Sequence, residues 1–69
     1  MPFPQPEPPK VLNVLNDPNR KVVYRVLAYR SLSRSELLQS VAVYLRSNKG
    51  KHPKAGTTVQ IVTIIGFNG

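Results

Sequence analysis

A chain of 69 residues has room for one domain and lies below the length at which a single hydrophobic core gives comfortable stability. With no cysteine and one histidine, His52, it has neither disulfides nor the ligands of a structural metal, so burial against another chain is the support that remains. Ten lysines and arginines against three acidic side chains, net +7, argue against acid–base chemistry by paired acids and for an anionic partner: nucleic acid, an acidic protein or lipid headgroups.

The charge is concentrated in the middle. Residues 1–18 carry net −1 (Glu7, Lys10, Asp17), residues 19–54 carry net +8, and residues 55–69 carry no charge. No stretch has the basic start and apolar run of an export signal, and none approaches the ~20 apolar residues of a membrane-spanning helix. The sequence expectation is a soluble, cytoplasmic protein with no transmembrane segment.

Residues 1–9 alternate proline with other residues, which forbids helix and favours an extended, polyproline-like arm preceding a single domain over 10–69. Lys10 to Asn16 fits either a helical turn or a short strand. Asp17-Pro18-Asn19 then supplies turn chemistry, which favours the strand and a hairpin into the next segment. Lys21 to Arg30, dense in Val, Tyr and Leu, reads as a strand with Val22, Tyr24, Val26 and Ala28 on one face, expected under a helix. Val23, Arg25, Leu27 and Tyr29 share the other.

Ser33-Arg34-Ser35-Glu36 is a capping box, with Leu32 and Leu37 placed for a hydrophobic staple. Leu38, Val41, Ala42 and Leu45 continue at helical spacing, widened by Leu37 and Tyr44, with Gln39, Ser40, Arg46 and Ser47 opposite. The helix should run three to four turns and stop where Asn48 or Gly50 takes a left-handed conformation. Lys49 to Thr57 reads as an exposed loop, and Thr58 to Phe67 as a strand apolar on both faces, hence interior or covered by another chain.

The expected fold is therefore α+β, a small β-β-α-β domain with a short mixed sheet on one amphipathic helix and the two long strands parallel if adjacent. The sheet face away from the helix would expose Val23, Leu27, Tyr29, Val62 and Ile64, an apolar set expected to pair two copies or to exchange an element between them.

Chemistry-bearing residues are few. Glu7 lies in the arm, Asp17 in a turn, and Glu36 in its cap, while His52 has no neighbouring acid to orient it, so neither catalysis nor a metal or other cofactor is expected. The loop from Gly50 to Thr58 has the composition of a phosphate cradle but not the P-loop order. Basic residues interleave with Tyr24 and Tyr29, yet the two tyrosines point to opposite faces and cannot form one stacking platform. The Arg30 to Ser35 stretch could meet an anion at the helix start, although capping accounts for most of it. The candidate nucleic-acid or anion-binding residues are Arg20, Lys21, Arg25, Arg30, Arg34, Lys49, Lys51 and Lys54, in a protein with little sequence preference. The alternative is a homo-oligomeric structural or assembly protein whose positive charge matches an acidic protein partner.

Overall fold

The computed structural model describes residues 7–66. Within them lie β1 (Val11–Asp17), β2 (Val22–Ala28), α1 (Arg34–Ser47) and β3 (Thr58–Val62). The strands form a three-stranded mixed sheet in the order β1-β2-β3, antiparallel between β1 and β2 and parallel between β2 and β3. This is the small α+β arrangement expected from the sequence. The Pro-rich arm falls outside the described residues for positions 1–6. Among the described residues no helix is long and apolar enough to cross a membrane.

Residues 11–17 are strand because the turn that follows returns the chain directly onto β2. Their register sets Val11 against Ala28, Leu15 against Tyr24 and Asp17 against Val22. Alternation then places Val22, Tyr24, Val26 and Ala28 under the helix, each at most 2 % exposed, with Leu15, Val59, Leu37 and Val41 completing the core. Leu32, Tyr44, Leu45 and Ile61 pack around it.

Two expectations about β3 are corrected. It is an edge strand, not an interior one, because β1 takes one side of β2 through the hairpin and the crossover brings β3 to the other. Its second apolar face is exposed, Val62 at 63 % and Ile64 just beyond at 78 %. Regular pairing also ends at Val62 rather than Phe67, which lies outside the described residues, although two bonds extend the contact: Thr63 N–H donates to the Leu27 carbonyl (3.0 Å) and Tyr29 N–H to that of Ile65 (3.4 Å).

The helix begins as its capping box requires. The Glu36 amide donates to the Ser33 hydroxyl (3.2 Å), and the Ser33 amide donates to the Glu36 carboxylate (2.9 Å). Its buried stripe is rotated by about one position from the expected one: Leu37, Ser40 and Val41 are buried, whereas Leu38 is 48 % exposed and Ala42 is exposed. Ser40 tolerates burial because its hydroxyl donates to the Glu36 carbonyl (3.1 Å) and its small size lets the helix approach the sheet.

The stop is made by Gly50, one of its two expected residues, together with Lys49, which was not expected. Asn48 is not left-handed; Lys49 (φ 58°) and Gly50 (φ 74°) are. Gly50 N–H donates to the Leu45 carbonyl (2.7 Å) and Lys49 N–H to that of Arg46 (3.1 Å), the paired bonds of a Schellman termination with lysine in the usual glycine position.

One residue ties the layers together and was not singled out from the sequence. Asn13, in the middle of β1 and facing the helix side, donates from its amide nitrogen to the carbonyls of Val11 (3.3 Å), Val26 (3.4 Å) and Arg30 (3.2 Å). Its oxygen accepts from the Leu32 amide (2.8 Å). It clamps the segment leaving β2 to the first strand, which aims the helix. Asn13→Ala should cost about 1–3 kcal/mol, the range for leaving part-buried backbone partners unsatisfied. Asn13→Asp, which keeps the acceptor and loses the donors, should cost at least as much. Urea denaturation of both variants checks this, and a loss confined to the alanine variant would contradict the donor role.

Candidate nucleic-acid interface

The topology sorts the eight cationic candidates into four places. The hairpin turn carries Arg20 and Lys21. The helix runs back toward that turn and releases the chain at Lys49, and the following loop carries Lys51 and Lys54 before docking on the turn: Gly56 N–H donates to the Lys21 carbonyl (2.6 Å) and Val23 N–H to that of Thr57 (3.1 Å). Arg20, Lys21, Lys49, Lys51 and Lys54 thus share one end of the domain, all exposed. Arg46, in the last helical turn, adds a cation absent from the candidate set.

The other three are elsewhere. Arg25 lies in the middle of the open sheet face, paired in register with Val14 and Gln60. Arg30 stands just beyond the end of β2 and is occupied: its guanidinium grips the Glu36 carboxylate with two nitrogens, Nη1 on Oε1 at 2.9 Å and Nη2 on Oε2, and Nη1 also donates to the Ser31 carbonyl. Its stem rests on the backbone of Gly66, where a Cβ would come within 2.6 Å of Arg30 Cγ and where φ is +89°. Arg30 is a brace between the helix start and the chain after β3. Arg34 begins the helix and lines, with Arg20, Asp17, Leu38 and His52, a groove of about 480 Å³ between the helix and the hairpin.

Each of the three acidic side chains is matched to one cation: Glu7 to Lys10 (3.1 Å), Asp17 to Arg20 (2.8 Å) and Glu36 to Arg30. The seven remaining cations, Lys21, Arg25, Arg34, Arg46, Lys49, Lys51 and Lys54, have no acidic partner among the described residues and account for the whole net charge. The Arg20 side chain holds the Asp17 carboxyl below its usual range. Burial pushes the Tyr24 phenol up.

Glu36 is held lower still, at about 2 against an ordinary 4.5, first by the Arg30 guanidinium and then by the Ser33 amide. A carboxyl whose folded pKa is depressed adds stability that is fully present above its ordinary pKa and lost as pH falls toward the folded value. Glu36→Gln should therefore melt below the parent protein at neutral pH, with the gap narrowing below about pH 4.5 and closing near pH 2. Paired thermal melts across that window test it, and a gap independent of pH would show that the ion pair is not its source.

The residues expected at an oligomer interface do share the open face. Val23 and Leu27 are half-buried, Tyr29 is half-buried just past β2, and Val62 and Ile64 are exposed. Leu12 and Val14, 44 % and 50 % exposed, extend this patch, with Leu12 beside Leu27 and Leu27 beside Val62. Strand alternation from Leu15 would have found both. His52 is exposed, and no group of three potential metal ligands occurs among the described residues.

Comparison with known protein families, with curated proteins and with solved structures gives no match to this chain.

Proposed function

We propose that the protein is a non-enzymatic binding protein that holds nucleic acid by its phosphate backbone, at the end formed by Arg20, Lys21, Lys49, Lys51 and Lys54. The observation that carries this reading is the convergence of four uncompensated lysines from two sequence-distant segments on one docked turn and loop. Lysine ammonium groups act as mobile point charges and suit phosphates without reading bases. Tyr24 is buried and offers no exposed ring for base stacking, which favours backbone contact over recognition of particular bases. The pairing of each acidic side chain with a cation supports the absence of acid–base catalysis.

Fluorescence-anisotropy titration of labelled single- and double-stranded DNA and RNA over a range of salt tests the proposal. Four lysine contacts predict a log–log slope against salt near −0.9 per phosphate on duplex DNA, or about −3.6 in all, with little change between sequences. Lys51→Gln with Lys54→Gln should flatten it by about 1.8. Binding that ignores salt, or that keeps its full slope in the double variant, would overturn the assignment and direct attention to an acidic protein partner.

A further inference from the structure

We infer that two copies of the chain join through the outer edges of β3, pairing antiparallel about a two-fold axis to make one six-stranded sheet with both helices on the same side. The edge is open: β3 is bonded to β2 on one side, and no strand of the described residues lies on the other. Thr63 N–H and the Thr57 carbonyl point toward β2, so by the two-residue alternation of a strand the outward amides and carbonyls belong to Thr58, Gln60 and Val62. A two-fold through Gln60 sets Gln60 against Gln60 of the second copy and Thr58 against its Val62, using all three pairs of outward groups.

Three observations select a second copy as the occupant. First, on a protein of net charge +7 this flank is uncharged. The groove of about 440 Å³ between α1 and β3 is lined by Gln39, Ser40, Val43, Tyr44 and Ile65 among others, with no Asp, Glu, Lys, Arg or His, and β3 itself carries no charge. Two like-charged molecules can meet there without opposing their lysines. The β1 flank, by contrast, carries Asp17, Arg20, Arg34 and His52 along its groove. Second, β3 has none of the charges, prolines or bulges by which exposed edges are usually blunted. Third, Val43 on the helix above the edge is 48 % exposed, and the pairing would bring the helix flanks bearing Val43 and Tyr44 of the two copies together over the new sheet. This supplies the buried area that a short chain without disulfides or metal lacks.

Pairing through the open sheet face is less favourable, because Arg25 lies at its centre without an acidic partner and a two-fold there would oppose two guanidinium groups. Edge pairing leaves that face and both lysine-bearing ends exposed. Because the two β3 strands run in opposite directions, it also sets the two cationic ends at opposite ends of the dimer.

The test combines mass with amide exchange on the full chain. Light scattering or sedimentation equilibrium should give twice 7.7 kDa, with slow hydrogen exchange at the amides of Thr58, Gln60 and Val62 in the dimer. Gln60→Lys, at an exposed position that the fold does not use, places like charges directly opposite one another and should weaken self-association by about fivefold. An equimolar mixture with Gln60→Glu should restore it. A monomer at all concentrations overturns the inference. So does a dimer whose three amides exchange as fast as those of the lysine loop, or a monomer in which they are already protected by the chain's own ends.

Discussion

Tyr24→Ala should leave the protein mostly unfolded at room temperature. The ring is the largest fully buried side chain, 2 % exposed, and packs in one cluster with Val22, Val26, Leu15, Val59 and Val41. Truncating a buried aromatic costs about 3–5 kcal/mol once the cavity is included. A single core in a chain of this length supplies about the same amount, so nothing remains to hold the sheet and helix together. Tyr24→Phe separates packing from the hydroxyl. Tyr24 lines the groove beside the hairpin, and its hydroxyl makes no hydrogen bond among the described residues, so its removal should cost less than about 1 kcal/mol. Far-UV circular dichroism with urea titration reads both. A folded alanine variant would mean that the helix and β1 can close over the space, or that a second copy contributes more of the stability than the core does.

The elements with strong local signals were legible in the sequence, and the tertiary choices were not. The capping box at Ser33 and Glu36 fixes a helix start by local hydrogen bonds alone, and Asp17-Pro18-Asn19 fixes a hairpin, so both survive translation into three dimensions. The parallel pairing of β2 and β3 followed from the crossover.

The helix phase did not, because Leu37-Leu38 and Val41-Ala42 offer two adjacent stripes of nearly equal hydrophobicity. The buried one is selected by how closely the helix lies on the sheet, where Ser40 fits and satisfies itself. The edge position of β3 was missed because double-faced hydrophobicity marks an interior strand only when there is a fourth strand to put beside it. Asn13 escaped notice for another reason. A lone asparagine in a strand has no periodic signature, and its value arises from three carbonyls and an amide that only the finished fold brings within reach.

For the candidate site, composition supplied the cationic residue types but grouped them by proximity in sequence. Arg30, Arg34 and Arg25 are near one another in the chain and far from sharing a surface, and Arg30 is committed to Glu36. Lys21 and Lys49 are distant in the chain and are brought to one end of the domain by the loop that docks at Gly56.

Those two lysines provide the second large effect. They are the only non-glycine residues with positive φ among the described residues, at 55° and 58°, and both stand at the cationic end. An L side chain in the left-handed region costs about 1–2 kcal/mol, against about 0.5–1 kcal/mol of added backbone freedom for glycine in the unfolded chain. Lys21→Gly with Lys49→Gly should therefore gain about 0.5–1 kcal/mol per site, a rise in melting temperature of several degrees for a domain this small. The same variant removes two phosphate contacts and should flatten the salt dependence of nucleic-acid binding by about 1.8 in log–log slope. Stability up and binding down together would mean that lysine is kept at these positions for its charge despite the backbone cost. Stability up with the slope unchanged would leave the strain explained and remove both residues from the binding surface; stability unchanged would mean that neighbouring bonds at Gly50 and Gly56 already absorb the left-handed geometry.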